Sequence, residues 1–192
     1  MKFFTSDHHF DHANILRYTQ REFKNVKEMG DAYIEQWNSQ AGDNDTVIHL
    51  GDFCLGRLAL AETYFNQLQG TIHIVPGNHD DRWVNDYWKE RRDNTEFNVF
   101  SASNQPITVL ADIAQTRIKD HKVILCHYPL RSWRASYHGS WHLYGHVHGH
   151  IDAWGLSMDV GVDNAEGVLH SEENIVRYMF IRQKCLDSLE KQ

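Results

Sequence analysis

The sequence predicts an α/β fold in which sheet layers are flanked by helices. Strand and helix patterns alternate over the first half of the chain and strand patterns dominate the second half, an order typical of layered α/β architectures. Polar side chains directly follow separate hydrophobic strands at Asp7, Asp52, Asn78 and His127. Ligands of open α/β sheets bind beyond the carboxyl ends of strands, so we expect these side chains to converge on one crevice.

The chain has 192 residues, of which 41% are hydrophobic, and we treat residues 1–192 as a single domain. It contains no run of roughly 18 apolar residues, and its N-terminus turns polar after Phe4, so we expect neither a membrane span nor a signal peptide. Its three scattered cysteines have no CxxC spacing, which favours a reducing cytoplasm. The oligomeric state stays open.

The first predicted elements are two strands with a helix between them. Residues 2–6 form a short apolar run that predicts a buried strand. Asn25 and Glu28 have the spacing of a helix N-cap, and the apolar residues of segment 26–41 then share one helical face. Residues 46–50 form a second apolar run and a second predicted strand.

The middle of the chain continues this alternation. Apolar residues of segment 58–68 repeat at helical spacing, and Gly70 is a predicted C-terminal cap. Residues 71–75 predict a third strand and residues 83–91 a helix. Residues 97–110 predict one or two further strands.

The second half of the chain is predicted to contain mainly strands and to end in a helix. Residues 122–126 and 157–162 are predicted strands. Ser171 followed by two glutamates predicts a C-terminal helix through about Leu189.

Charge and histidine content narrow the function classes. The formal net charge of −7 disfavours binding to an extended duplex DNA, because such binding neutralises many phosphates. The chain also carries 14 histidines, which raises the expectation of a metal or proton-transfer site.

Asp7 and His9 are separated by one residue, so on extended backbone both side chains project to the same side and can chelate one ion. Asp52 follows Gly51 and offers a carboxylate able to bridge two cations. Each feature also occurs in ordinary turns or helix caps, so neither decides the matter alone.

The segment 77–80 combines a neutral oxygen ligand, an imidazole and a carboxylate. Asn78 can offer its amide oxygen to a hard cation, and His79 then lies beside the metal. The alternative interpretation is that this segment is only a polar turn after a strand.

Histidines near the end of the pattern complete the candidate ligand set. His146 and His148 flank one residue and suit one ion or two neighbouring ions. His127 follows a strand and could equally be a core histidine. His142 and His150 continue the alternation, and their roles stay open, as do those of His8 and Asp11.

Taken together, the motifs DxH, GD, GNHD, H and GHxH, in this order from Asp7 to His148, resemble the calcineurin-like metallophosphoesterase family. The segments TSDHHFDHANI and VIHLGDF resemble its small bacterial and phage members. The resemblance implies a two-sheet β sandwich flanked by helices in four layers, α/β/β/α. It also implies one metal held by Asp7, His9, Asp52 and His148 and a second held by Asp52, Asn78, His127 and His146, with Asp52 as the bridge.

Leu55 separates the chain from two subgroups of that family. Protein serine/threonine phosphatases continue the middle motif as GDxxDRG, and purple acid phosphatases place a tyrosine ligand three residues after the aspartate. Leu55 stands at both positions.

The resulting hypothesis is a phosphoester hydrolase, favouring phosphodiesters, in which two divalent ions activate a bridging hydroxide for attack on phosphorus. Manganese, iron, zinc, cobalt and nickel all suit the ligands, and manganese is favoured. His79 is the candidate general acid, and Asp80 is the candidate partner that orients its ring.

Two groups outside the ligand set are candidate substrate-binding residues for a small phosphoester, such as a nucleotide or an RNA end. His12, Asn14 and Arg17 follow the first motif. Arg131 and Trp133, with Arg134, follow His127, where arginine can grip phosphate and tryptophan can stack on a base. Solvated loop charges and ordinary packing explain the second group equally well.

Three other functions are alternatives to a phosphoester hydrolase. A non-catalytic protein-binding scaffold would tolerate loss of a ligand, and none is missing. A nuclease or RNA-end-processing phosphodiesterase fits the chemistry, although the acidic charge disfavours a long substrate. A mononuclear zinc enzyme acting on amides needs only three protein ligands, fewer than the seven candidates.

Overall fold

The computed structural model describes residues 1–164 and 169–189. Its helices and strands, in chain order, are β1 (Lys2–Thr5), α1 (Ile15–Tyr18), α2 (Val26–Gln40), β2 (Thr46–His49), α3 (Leu58–Phe65), β3 (Thr71–Ile74), α4 (Asp81–Asp93), β4 (Thr108–Val109), β5 (Ile113–Ile118), β6 (His121–Cys126), β7 (Trp141–Tyr144), β8 (Ser157–Asp159), β9 (His170–Ser171) and α5 (Glu172–Leu189). Short 3-10 helices span Ser136–His138 and Val162–Asn164.

The strands form two mixed sheets. The first has the order β4-β3-β2-β1-β9, in which β1 to β4 are parallel and β9 is antiparallel. The second has the order β5-β6-β7-β8, in which β5 is antiparallel and the other three strands are parallel. The parallel strands explain why their carboxyl ends, and the polar residues that follow them, lie together at one edge of each sheet.

The two sheets pack against each other through an apolar layer. Phe4 and Leu50 from the first sheet and its strand ends share one buried cluster with Val123 and Leu143 from the second. A second cluster joins the opposite face of the first sheet to α2, α3 and α4. Two sheets flanked by helices therefore confirm the predicted fold class.

Helix α2 shows how local sequence sets this packing. The Asn25 side chain accepts a hydrogen bond from Glu28 N at 2.9 Å, which is the predicted N-cap. Met29, Tyr33 and Trp37 repeat at helical spacing and are buried against the first sheet. Burying three large side chains stabilises the helix by roughly 1.5–3 kcal/mol each.

Helix α5 joins the edges of the two sheets. It contacts β1, β8 and β9, and Ile175 and Met179 enter the apolar layer between the sheets. None of the described helices is long and apolar enough to cross a membrane.

Several elements differ from the sequence expectation. Strands β5 and β7 were not predicted, because β5 is half polar and β7 is short and surrounded by histidine and glycine. Only β4 forms within the segment 97–110. Helix α3 ends at Phe65 with Asn66 as its C-cap, so Gly70 is a positive-φ turn residue and does not cap the helix.

Candidate metal centre

Seven predicted ligands come together at the carboxyl ends of the strands. Backbone hydrogen bonds join these ends: Asp7 N donates to Gly51 O at 3.0 Å and Gly145 N donates to His127 O at 2.9 Å. We call the group the seven-residue cluster; its members are Asp7, His9, Asp52, Asn78, His127, His146 and His148. The ends of strands that are distant in sequence therefore place these seven residues at one site.

One half of the cluster contains Asp7, His9 and His148. Their potential ligand atoms all lie within 4.8 Å of one another, and His9 Nε2 lies 4.0 Å from Asp7 Oδ1. Asp7 is fixed by its neighbours, since Ser6 Oγ donates to Oδ2 at 2.6 Å and His146 N lies 3.0 Å from both carboxylate oxygens.

The other half contains Asp52, His127 and His146, whose potential ligand atoms also lie within 4.8 Å of one another. His127 Nδ1 donates to Leu50 O at 2.8 Å, which directs Nε2 into the cluster. That Nε2 lies 3.2 Å from Asn78 Oδ1, so Asn78 belongs to this half.

Asp52 lies between the two halves. Its Oδ2 is 3.5 Å from His9 Nε2 on one side and 3.4 Å from His127 Nε2 on the other. Its Oδ1 accepts a hydrogen bond from His79 N at 2.9 Å. One carboxylate oxygen thus faces both histidine groups, as a bridging ligand requires.

The backbone of the cluster is strained. Five of its residues have positive φ, between 49° and 73°: Asp7, His9, Asp52, His146 and His148. Each such conformation costs about 1 kcal/mol or more in a non-glycine residue and is typical of functional sites. Gly77 packs so closely that a Cβ there would collide with the Asp52 carboxylate.

Burial gives the cluster unusual electrostatics. Burial raises the pKa of Asp7 to about 7. Burial acts in the same direction on Asp52, but contact with His127 holds the Asp52 pKa below its usual range. Burial also opposes a charged His127, yet the Asp52 carboxylate raises the His127 pKa to about 9.

The donor set fits divalent metal ions. Buried carboxylates require compensating charge, and imidazole, carboxylate and amide oxygen are ligands of several transition metals. His9 Nε2 is buried, and the described residues give it no hydrogen-bond partner, although it faces Asp52. A cation between these atoms would satisfy both groups.

Two residues that support the cluster were missed by the sequence analysis. Asp163 Oδ2 accepts a hydrogen bond from His148 Nδ1 at 2.6 Å, leaving Nε2 for a metal. Arg21 holds Asp163 through two hydrogen bonds of 2.7 and 2.8 Å and also donates to Asp7 O. Asp163 lies in the 3-10 helix Val162–Asn164, shortly after β8, and this position beyond a strand is the sequence signal that could have pointed to it.

His79 lies at the edge of the cluster, with its side chain 35% exposed and its Nε2 4.0 Å from Asp52 Oδ2. Asp80 does not orient it, which corrects the prediction. Within the described residues, the Asp80 carboxylate accepts hydrogen bonds from Gly77 N, Trp83 Nε1 and two backbone amides at positions 53 and 54. Asp80 therefore fixes the two ligand loops, and burial raises its pKa to about 6.

Of the first predicted substrate group, His12 reaches the cluster. It is buried, with Nδ1 3.3 Å from His9 Nδ1, and it forms a further histidine group with His9 and His79. Asn14 is exposed at the start of α1, and the Arg17 guanidinium lies 5.3 Å from the Tyr18 ring centroid.

The second substrate group lies elsewhere, which corrects the prediction that it lines the crevice. Trp133 is buried and its Nε1 donates to Ser140 O at 3.1 Å, so packing explains it. Arg131 and Trp133 line a groove whose lining includes no member of the seven-residue cluster. Arg134 lines an adjoining pocket.

Of the residues whose roles the sequence left open, His8 and His142 have local structural roles. His8 Nδ1 lies 2.9 Å from His49 Nε2 inside the core, and burial lowers the pKa of both rings. His142 accepts a hydrogen bond from Leu130 N and so anchors the loop after β6. Asp11 and His150 are exposed.

A family model and one further protein match parts of the chain. The model of the calcineurin-like phosphoesterase superfamily domain matches residues 3–170. Over 77 residues the chain is 43% identical to an uncharacterized protein, MJ1445, of Methanocaldococcus jannaschii, a match covering 39% of this chain and 44% of that protein.

One solved structure shares the architecture. A protein of unknown function, AQ665 from Aquifex aeolicus, superimposes with a TM-score of 0.63 at 20% identity, covering 93% of this chain and 98% of that one. YfcE, a phosphoesterase from E. coli, gives a TM-score of only 0.39 at 18% identity over 83% of this chain and 77% of that one. The first likeness concerns the fold alone.

Proposed function

Because the chain belongs to the calcineurin-like phosphoesterase superfamily, we propose that it is a dinuclear metal-dependent phosphoesterase that prefers phosphodiesters to phosphomonoesters. The observation that carries the dinuclear proposal is the position of Asp52. Its Oδ2 lies within 3.5 Å of imidazole nitrogens from both halves of the cluster. Paired ions bridged by one carboxylate are typical of two-metal phosphoester hydrolases.

The proposed ligands divide at Asp52. Asp7, His9, Asp52 and His148 would hold one ion, and Asp52, Asn78, His127 and His146 would hold the other. Carboxylate and amide oxygens mixed with imidazole suit manganese, which we propose ahead of iron, zinc, cobalt and nickel. When bound, the ions lower the pKa of water and offset the charge that develops on the phosphoryl oxygens.

His79 is the proposed general acid. Its backbone is fixed by the hydrogen bond to Asp52 Oδ1, while its partly exposed ring lies at the mouth of the cluster. A ring nitrogen donates its proton to the leaving oxygen as the P–O bond breaks, so the product leaves as an alcohol.

His12 is the proposed substrate-binding partner of His79. Its ring centroid lies 5.1 Å from that of His79, and burial is the main cause that lowers its pKa. A neutral imidazole can donate a hydrogen bond to a phosphoryl oxygen without carrying charge.

The diester preference follows from the charges around the cluster. Arg21 contacts the cluster from behind, but its guanidinium binds Asp163 and backbone carbonyls. Among the described residues, the side chains that pack beside the metal ligands include His12, His79 and the half-exposed Tyr128, and none of these three is a lysine or an arginine. A diester monoanion needs less positive charge than a monoester dianion, so it suits this environment better.

The test is a substrate screen on protein reconstituted separately with each metal. We expect higher kcat/KM with bis-p-nitrophenyl phosphate than with p-nitrophenyl phosphate, and turnover of cyclic nucleotides or short RNA ends identifies the natural class. Equal or higher kcat/KM with the monoester would overturn the diester preference. Tight metal binding without turnover of any ester would favour the scaffold alternative.

We also propose that this activity is cytoplasmic. Cys54 and Cys126 are buried free thiols and Cys185 is an exposed one, which suits a reducing compartment. Localisation of a fluorescent fusion tests this.

A further inference from the structure

We propose that a second site, formed by an arginine–aromatic groove, binds a nucleoside phosphate. The groove is defined by Arg131, Tyr137, Trp154 and Arg182 and has a volume of about 720 Å³. No member of the seven-residue cluster lines it. The proposal therefore concerns a ligand site beyond the phosphoesterase centre and stands without it.

Three segments build the walls. The loop after β6 supplies six residues between Arg131 and Gly139, the segment before β8 supplies residues 153–156, and α5 supplies Arg182 and Leu186. The volume lies within the range of roughly 300–1,000 Å³ that small-molecule sites occupy. The groove is thus large enough for a nucleotide.

The groove is positively charged on a negatively charged molecule. Its described lining includes Arg131 and Arg182 and no carboxylate. An adjoining pocket of about 520 Å³ shares Trp133 and adds Arg134, again without a carboxylate in its lining. In a chain of net charge −7, this local excess favours an anion, and the planar guanidinium matches phosphate oxygens.

Exposed aromatic rings accompany the arginines. The Tyr137 side chain is 94% exposed and Trp154 is 52% exposed. The Arg131 guanidinium carbon lies 3.1 Å from the centroid of the Trp154 ring, so cation and ring form one stacked unit. Rings and arginine together favour a ligand that carries both a base and a phosphate.

The groove walls are held in place by their own hydrogen bonds. Trp133 Nε1 donates to Ser140 O and Ser140 Oγ donates to Arg134 O. Arg182 donates to the backbone carbonyls of Ala153 and Gly155, which fastens the Trp154 segment to α5. Such preorganisation lowers the entropy lost when a ligand binds.

The test is calorimetric titration of the full chain with AMP, adenosine and inorganic phosphate, with chromatography confirming that AMP stays intact. We expect AMP to bind more tightly than either fragment. Arg131→Ala, Tyr137→Ala and Trp154→Leu should each weaken AMP binding roughly tenfold. Arg92→Ala and Trp88→Leu change an exposed arginine and tryptophan of α4 and should leave the affinity unchanged.

Asp52→Asn separates this site from the phosphoesterase centre. AMP binding that survives Asp52→Asn and is weakened by Arg131→Ala supports the groove. Binding that is lost in Asp52→Asn but kept in Arg131→Ala belongs to the metal centre and overturns the proposal. Absence of AMP binding, or equal affinity for AMP and phosphate, also overturns it.

A single-stranded trinucleotide tests whether the groove binds a free nucleotide or a nucleic-acid strand, since both ligands carry bases and phosphates. Tighter, Arg131-dependent binding of the trinucleotide than of AMP identifies a nucleic-acid strand as the ligand. Binding no tighter than that of AMP identifies a free nucleotide, and both results support the groove.

Discussion

Asp7 and Asp52 in the seven-residue cluster are buried against histidines, whereas Tyr137 and Trp154 in the arginine–aromatic groove extend into solvent. The cluster concentrates positive-φ backbone, and its ionisable groups shift one another's pKa values. The groove segments have positive φ mainly at glycines, Gly139 and Gly155, with one such alanine, Ala135, and their aromatic side chains are exposed. Changes in the cluster should therefore affect structure, metal binding and catalysis together, whereas changes in the groove should affect ligand binding alone.

The largest expected effect comes from Asp52→Asn. The change removes the carboxylate that faces both halves of the cluster, so metal content should fall below two ions per chain and turnover by more than about a hundredfold. Metal analysis and diester hydrolysis measure both. If the variant retained two ions and normal turnover, Asp52 would not be the bridging ligand.

His79→Ala should lower turnover of a diester with an alkyl leaving group by about a hundredfold, because the leaving oxygen then departs without a proton. Metal content should stay the same, since the Asp52 hydrogen bond comes from the backbone amide of residue 79. A p-nitrophenyl ester is the control, because its good leaving group needs little protonation. Unchanged turnover of the alkyl ester would refute the acid role.

A pair of glycine substitutions compares the two regions directly. Gly77→Ala places a methyl group against the Asp52 carboxylate and should lower turnover by up to about a hundredfold through misplacement of that ligand. Gly139→Ala lies beside the groove at φ 76° with no heavy atom within 4 Å of the added carbon. It should cost only about 1 kcal/mol and leave turnover intact, as kinetics and thermal unfolding would show.

Asp163→Asn should weaken metal binding by about tenfold while the fold is kept. The carboxylate that orients His148 is lost, and the buried Arg21 loses its ion-pair partner. Calorimetric metal titration measures the effect. Asp43→Asn, on an exposed loop near Ser103, is the control. Equal metal affinity in both variants would show that His148 needs no such support.

The smallest expected effect concerns His73 in β3. Burial lowers the pKa of His73 below 6.5, so its contribution to stability is present above pH 6.5 and is lost as pH falls below that value. Between pH 7.5 and 5.5, the Tm of His73→Leu should therefore fall less than the Tm of the wild type. The difference should be about 2 °C at most, because the side chain is only partly buried. His138→Leu, at the exposed edge of the groove loop, is the control. Identical pH profiles for wild type and His73→Leu would contradict the burial effect.

Much of the fold was predictable because parallel strands carry their ligands at their ends. Residues 2–6 and 46–50 are short segments rich in aromatic or β-branched residues that lead into Asp7 and Asp52, and their length and residue types indicate strands. The predicted cap at Asn25 is confirmed because its side-chain partner is only three residues away. Local patterns of this kind need no knowledge of tertiary contacts.

The predictions were wrong or incomplete where tertiary contacts determine the direction of a side chain. Asp80 neighbours His79 in sequence, yet its carboxylate turns to Gly77 and Trp83. Trp133 lies between Arg131 and Arg134 in a loop, yet it is buried against Ser140. Asp163 lies 15 residues from His148 in sequence, yet its carboxylate accepts a hydrogen bond from the His148 ring. In each case the direction of one side chain depends on residues that sequence spacing does not bring together.

The most direct test of the account is anomalous diffraction from crystals grown with manganese. Two anomalous peaks on opposite sides of the Asp52 carboxylate, one beside His9 and one beside His127, are the expected result. A single peak away from Asp52, or no ordered metal at saturating manganese, would contradict the proposed dinuclear centre.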